Sequence, residues 1–145
     1  MIKQLKGLEK WAPLLLQVLL GALFFVHGGQ KLFGWFSGFP TRMDGFIALV
    51  QKVGIPPFWA WVSALTEFLG GTCIFFGFLT RFWAAGIAID MAVAVFKWNW
   101  QFGWNWLKGG YEFPLTLGII ALILVLTGPG SLSVDRTVGL EKRTP

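Results

Sequence analysis

Two carboxyl side chains, those of Glu67 and Asp90, lie inside long apolar stretches, where an acid is least expected. Glu67 occupies PFWAWVSALTEFLGGTCIFFGFL, and Asp90 occupies FWAAGIAIDMAVAVFKW. Placing an Asp at the centre of a bilayer costs roughly 2.5 to 3.5 kcal/mol on insertion scales. Such acids therefore tend to face a protein interior, pair with a cation or line a wet cavity, and in such a site they can exchange protons with a ligand.

Further polar residues fall in one half of the predicted membrane region. At 1.5 Å per helical residue, His27 lies about 6 Å and Lys31 about 12 Å beyond the middle of the first apolar stretch. Lys97 follows Asp90 by nearly two helical turns and shares its face. We hypothesise one ligand-binding pocket, open to the outer side with the two acids at its floor. Its six residues are His27, Lys31, Glu67, Asp90, Lys97 and Glu112.

Each of these residues also has a structural interpretation. A protonated Glu67 can hold neighbouring helices together by hydrogen bonding, and Asp90 is open to the same two interpretations. His27 next to two glycines suits helix packing, and Glu112 suits the positive end of a helix dipole. Lysine side chains near helix ends extend to the membrane interface without any ligand.

The composition predicts an integral membrane protein. Hydrophobic residues make up 55% of the 145 residues, charged residues only 13%, and the mean hydropathy is +0.65. Soluble domains contain about 25% charged residues. The net charge of +5 does not indicate a nucleic-acid partner, because cations flank the apolar stretches as in membrane proteins with cytoplasmic termini. The flanking residues are Lys3, Lys6, Lys10, Arg136, Lys142 and Arg143.

The scarcity of cysteine and histidine limits the chemistry further. Cys73 is the single cysteine and His27 the single histidine. An internal disulfide, a thiol relay and a zinc site are therefore not expected. We predict no metal site, no covalent cofactor and no catalytic residue.

The elements that must position these residues are helices. We predict one domain, residues 1–145, with an all-α fold: an integral membrane four-helix bundle with spans at about 13–33, 57–79, 82–98 and 113–127. A short amphipathic interfacial helix at about 42–53, capped at Thr41, has Phe46, Leu49, Val50 and Val53 on one face. It is either a plain connector or a lid.

An aromatic cluster precedes the last span and comprises Trp98, Trp100, Trp104, Trp106 and Tyr111. An aromatic belt at the headgroup level explains such a cluster without a ligand. The second interpretation is an aromatic wall around a flat ligand.

Several strings together resemble the DoxX family of small four-span membrane proteins. They are His27-Gly28 with Lys31-Leu32-Phe33, Glu67-Phe68-Leu69-Gly70-Gly71, Gly77-Phe78-Leu79-Thr80-Arg81, Gly109 to Leu115, and Gly128 to Asp135. The resemblance covers about residues 13–138. It implies a bacterial or archaeal cytoplasmic membrane protein associated with quinone-linked respiratory or sulfur-redox systems. It marks His27, Lys31, Glu67, Arg81, Glu112 and Asp135 as motif positions, whereas Lys97 stands where many relatives carry histidine.

Three functions follow as hypotheses. The first is an accessory subunit of a quinone-linked membrane oxidoreductase, with quinone as the ligand. The second is a structural or assembly subunit without a ligand of its own. The third is a small-solute or proton-coupled carrier, which is disfavoured by the small number of spans. The expected partners are the lipid bilayer and either other membrane subunits or further copies of the chain, and whether the chain is itself an enzyme is left open.

Overall fold

The computed structural model describes residues 7–37 and 42–141, and all regular structure within them is helical. The all-α prediction is therefore confirmed. The expectations for Lys3, Lys6, Thr41, Lys142 and Arg143 lie outside the described residues. The helices are α1 (Ala12–Phe33), α2 (Arg42–Lys52), α3 (Pro57–Phe76), α4 (Thr80–Val93), α5 (Glu112–Thr127) and the short α6 (Val134–Thr137).

Two helical segments are long and apolar enough to cross a membrane by length and composition. They are Glu9–Phe33 and Pro57–Phe76. Helix α5 is a shorter apolar helix, and α4 continues without a break into a π-helical segment, Ala94–Asn99. The four-span arrangement stays a prediction, with helices at all four predicted places.

Helix α3 ends three residues earlier than the sequence predicts. Gly77 has a φ of 71°, and the amide of Phe78 donates to the carbonyl of Cys73 at 2.8 Å. This left-handed glycine cap stops the helix at Phe76. The chain then turns through Leu79 into α4, so that α3 and α4 run in opposite directions as neighbours.

Helices α1 and α3 approach very closely because glycines line their interface. A Cβ atom added to Gly28 would lie 2.4 Å from the backbone nitrogen of Phe68, and one added to Gly71 would lie 2.3 Å from that of Phe25. Real side-chain atoms do not approach so closely, so these positions require glycine at this helix separation. The close approach brings Lys31, one turn after Gly28, within reach of α3.

The ends of the helices near the chain termini are tied together by buried polar groups. The Asp135 carboxylate accepts from the amides of Leu79 (2.7 Å) and Thr80 (2.9 Å), and so caps the start of α4. The Gln17 side chain donates to the carbonyl of Phe75 and accepts from the amide of Gly130. These contacts join α1, α3, α4 and the segment after α5 at one end of the molecule.

Arg81 makes further contacts at the same end of the molecule. Its guanidinium donates to the carbonyls of Val125 and Leu126 at the C-terminus of α5, and it pairs with Glu141. Cations in this position satisfy free helix carbonyls and the negative end of the helix dipole. Arg81 therefore links the start of α4 to the end of α5 and to the segment that follows it.

Candidate functional site

Lys31 and Glu67 form an ion pair in the protein interior. The Lys31 ammonium nitrogen lies 2.6 Å from Oε2 of Glu67, and the side chains are 12% and 3% exposed. Oε2 has no hydrogen bond of normal geometry among the described residues, but the separation identifies the contact as an ion pair. The Lys31 nitrogen also lies 4.0 Å from the ring centroid of Phe46, a cation–π contact with α2. Lys31 therefore connects helices α1, α2 and α3.

Asp90 joins this pair from α4. Its carboxyl group lies close to that of Glu67. A carboxyl group accepts hydrogen bonds when it is ionised and donates one when it carries a proton. Lys31, Glu67 and Asp90 thus form a cluster of one basic and two acidic groups.

The cluster borders a cavity of about 580 Å³ between α2, α3 and α4. Apart from the acids and lysines, most of its lining is apolar, including Leu49, Val50, Val53, Val62, Val93 and Ala94. Ser63 and Thr66 contribute hydroxyl groups on the same face of α3 as Glu67. Ligand sites of this kind have apolar walls with a few convergent polar groups and a volume of roughly 300 to 1,000 Å³.

Lys97 and Trp98 reach the same cavity from the π-helical segment that extends α4. Short π segments inside α-helices often occur at functional sites, because the wider turn changes the direction of the following side chains. Lys97 is exposed, whereas Trp98 is half-buried. The structure therefore brings four of the six predicted site residues to one cavity: Lys31, Glu67, Asp90 and Lys97.

His27 and Glu112 do not line this cavity, which corrects the prediction of a single six-residue pocket. The His27 ring packs between the rings of Phe24 and Phe113, with centroids 6.4 Å and 6.2 Å away. At 100° per helical residue, His27 points about 100° away from Gly28, whereas Lys31 is only about 60° away. Because Gly28 faces α3, Lys31 reaches Glu67 and His27 faces α5 instead.

Glu112 misses the cavity for a simpler reason. It is the first residue of α5, which packs against α1 and α4, while the cavity lies between α2, α3 and α4.

Most of the aromatic cluster also lies outside the cavity. Tyr111 stacks on Trp100 at 5.0 Å and meets Trp104 edge-on at 5.6 Å, and of the five aromatic residues only Trp98 lines the cavity.

Several cavity residues were not singled out by their sequence alone. Ser63 and Trp59 precede Glu67 by four and eight residues, so the helical period places them on its face. The sequence predicts Phe46 on the apolar face of the short helix, but its contact with Lys31 depends on how α2 packs. In the described part of the chain, no group of three His, Cys, Asp or Glu residues is placed to hold a metal ion.

The arrangement can bind a largely apolar molecule that carries a polar head. Lys31 and Lys97 can donate hydrogen bonds, while Glu67 and Asp90 can accept them or exchange protons. Trp59 and Trp98 offer flat apolar faces on the cavity wall.

Comparison with known proteins identifies the family of the chain. The model of the DoxX family matches residues 12–100. CatD of Bacillus subtilis (strain 168), which is named as a proposed oxidoreductase, is 34% identical over 90% of this chain and 89% of its own length. The inner membrane protein YqjF of Escherichia coli (strain K12) is 33% identical over 91% of this chain and 95% of its own. No solved structure matches the chain.

Proposed function

The chain belongs to the DoxX family of membrane proteins, and we propose that it is a quinone-binding subunit of a membrane redox complex. The observation that carries the proposal is the cluster of Lys31, Glu67 and Asp90 at the side of a largely apolar cavity of about 580 Å³. A quinone has the matching chemistry, namely an apolar body and tail with two carbonyl oxygens on a flat ring.

Each part of the cavity has a role in this proposal. The ammonium group of Lys31 donates to a quinone oxygen, and Trp59 or Trp98 packs against the ring. Reduction of a quinone to a quinol takes up two electrons and two protons. Glu67 and Asp90 relay the two protons one at a time, because they are titratable groups within reach of the bound head group.

In this proposal the cavity residues supply hydrogen bonds and protons, and a partner oxidoreductase supplies the electrons. The name of CatD supports a redox setting, and the name of YqjF supports the bacterial cytoplasmic membrane. We place the chain termini on the cytoplasmic side, as the flanking cations indicate.

A second function is favoured by one specific observation. The ion pair of Lys31 and Glu67 is complete within the chain and joins α1 to α3. A structural or assembly subunit would use the pair only to specify helix packing, and no ligand would occupy the cavity.

Native mass spectrometry of the protein released from its own membranes separates the two functions. We expect a bound quinone in the wild type and, in Glu67→Gln and Asp90→Asn, an affinity at least about tenfold lower, or about 1.4 kcal/mol. Glu112→Gln is the matched control, since it removes an acid that does not line the cavity. Wild-type protein without quinone, whose variants only lose stability, would establish the structural role instead.

A further inference from the structure

The cavity reaches the exposed surface of α4, which faces lipid in the predicted four-span arrangement. Phe82, Ile89 and Phe96 are 67%, 66% and 68% exposed and are spaced seven residues apart, so they form one stripe that faces away from the protein. Ile89 stands halfway along the continuous helical run 80–99, and it also lines the cavity. The cavity therefore meets the outer surface of the protein beside Asp90, which is the middle of the third span in the predicted four-span arrangement.

The end of the cavity nearer the membrane interface is covered by α2. Phe46 and Val50 are buried there against α3, and Leu49 and Val53 complete the apolar face turned to the cavity. Lys97 and Gly54 are exposed at the rim of this end. An apolar helix face is a poor path for a water-soluble solute.

The gap between α3 and α4 at the side of the cavity is narrow, and a glycine keeps it open. A Cβ atom at Gly86 would lie 3.2 Å from Cγ2 of Thr66, and both residues line the cavity. A larger residue at position 86 would fill the space between the two helices next to Ile89.

From this geometry we infer that the ligand is a membrane-dissolved amphiphile that enters sideways from the bilayer, between α3 and α4 and past Ile89. Its polar head reaches Lys31, Glu67 and Asp90, while its apolar tail lies along Gly86 and Ile89. This inference rests on the proposed function in assigning the cavity to a ligand. It extends that function by assigning the ligand a route through the bilayer rather than through the exposed rim at Lys97.

Carbodiimides of different solubility test the route without assuming a quinone. They attach covalently to protonated carboxyl groups, and mass spectrometry of peptides identifies the modified residue. In protein reconstituted into lipid nanodiscs, dicyclohexylcarbodiimide, which dissolves in the bilayer, should modify Glu67 or Asp90 much faster than a water-soluble carbodiimide. Ile89→Trp should slow the lipid-soluble reagent by roughly tenfold, which corresponds to about 1.4 kcal/mol in the barrier.

Ile119→Trp is the matched control, because Ile119 is an exposed residue of α5 that does not line the cavity, and its rate should not change. Lateral access would be overturned by equal rates for the two reagents, or by an unchanged rate in Ile89→Trp. Decylubiquinone added before the reagent separates this result from the proposed function. Protection of the acids supports a quinone site, whereas modification that depends on Ile89 but is not blocked by quinone leaves lateral access intact and rejects quinone as the ligand.

Discussion

The ammonium nitrogen of Lys31 lies 2.6 Å from Oε2 of Glu67, and these two side chains are among the least exposed charged groups that face the cavity. The pair joins α1 to α3 at the point where Gly28 lets the helices approach. In surroundings of low dielectric constant, either charge alone would be costly to bury. The ion pair is therefore both a packing contact and the polar part of the cavity.

Lys31→Met should destabilise the protein strongly, because it leaves the Glu67 carboxylate buried without a cation. Removing one partner of a buried pair typically costs about 3 to 5 kcal/mol. Unfolding in mild detergent, followed by circular dichroism, measures the change, and the double variant Lys31→Met/Glu67→Gln should recover much of the loss.

Lys97→Met is the control for this experiment, since Lys97 borders the same cavity but is exposed. Its free energy of unfolding should change by no more than about 0.5 kcal/mol. If Lys31→Met were as stable as the wild type, the ion pair would have no role in holding α1 to α3.

Gly28→Ala should force α1 and α3 apart, because the new methyl group would lie 2.4 Å from the Phe68 backbone. Overpacking of this kind costs about 1 to 3 kcal/mol. The same variant should weaken quinone binding, since Lys31 would no longer lie beside Glu67. Thermal unfolding and native mass spectrometry measure the two effects.

Gly118→Ala provides the comparison, because its methyl group would lie 3.2 Å from Cβ of Met91, a much smaller overlap than that at Gly28. The gain in helix propensity should keep this variant within about 1 kcal/mol of the wild type. Equal losses in both variants would show that the α1–α3 separation is not fixed at Gly28.

Asp135→Ala should lower stability without affecting the cavity. The Asp135 side chain caps α4 by accepting from the amides of Leu79 and Thr80. Loss of such a cap costs about 0.5 to 2 kcal/mol, and Asp135→Asn, which keeps one acceptor, should lose less. Asp44→Ala, which removes an exposed acid from the first turn of α2, should lose only about 0.3 to 1 kcal/mol through the helix dipole. A loss of quinone binding in folded Asp135→Ala would show that the two ends of the molecule are coupled.

The sequence established the class of protein and the position of the acids along their helices. Hydropathy and helical period are local properties, so they located the apolar stretches, Glu67 and Asp90 within them, and the face of α2 that carries Phe46 and Val50. Boundaries were set by single residues such as Gly77, whose cap ends α3 at Phe76. The short helix α6 was not predicted, because its four residues show too little periodicity.

Which residues meet was decided only by the tertiary structure. Lys31 and His27 lie on neighbouring parts of one helix face. The close contact at Gly28 brings Lys31 into an ion pair with Glu67, whereas His27 packs against Phe113. Asp135 is far in sequence from the helix that it caps. The helical period fixes the direction of a side chain only relative to its own helix, whereas its partner depends on how that helix is rotated and how closely it packs against the next.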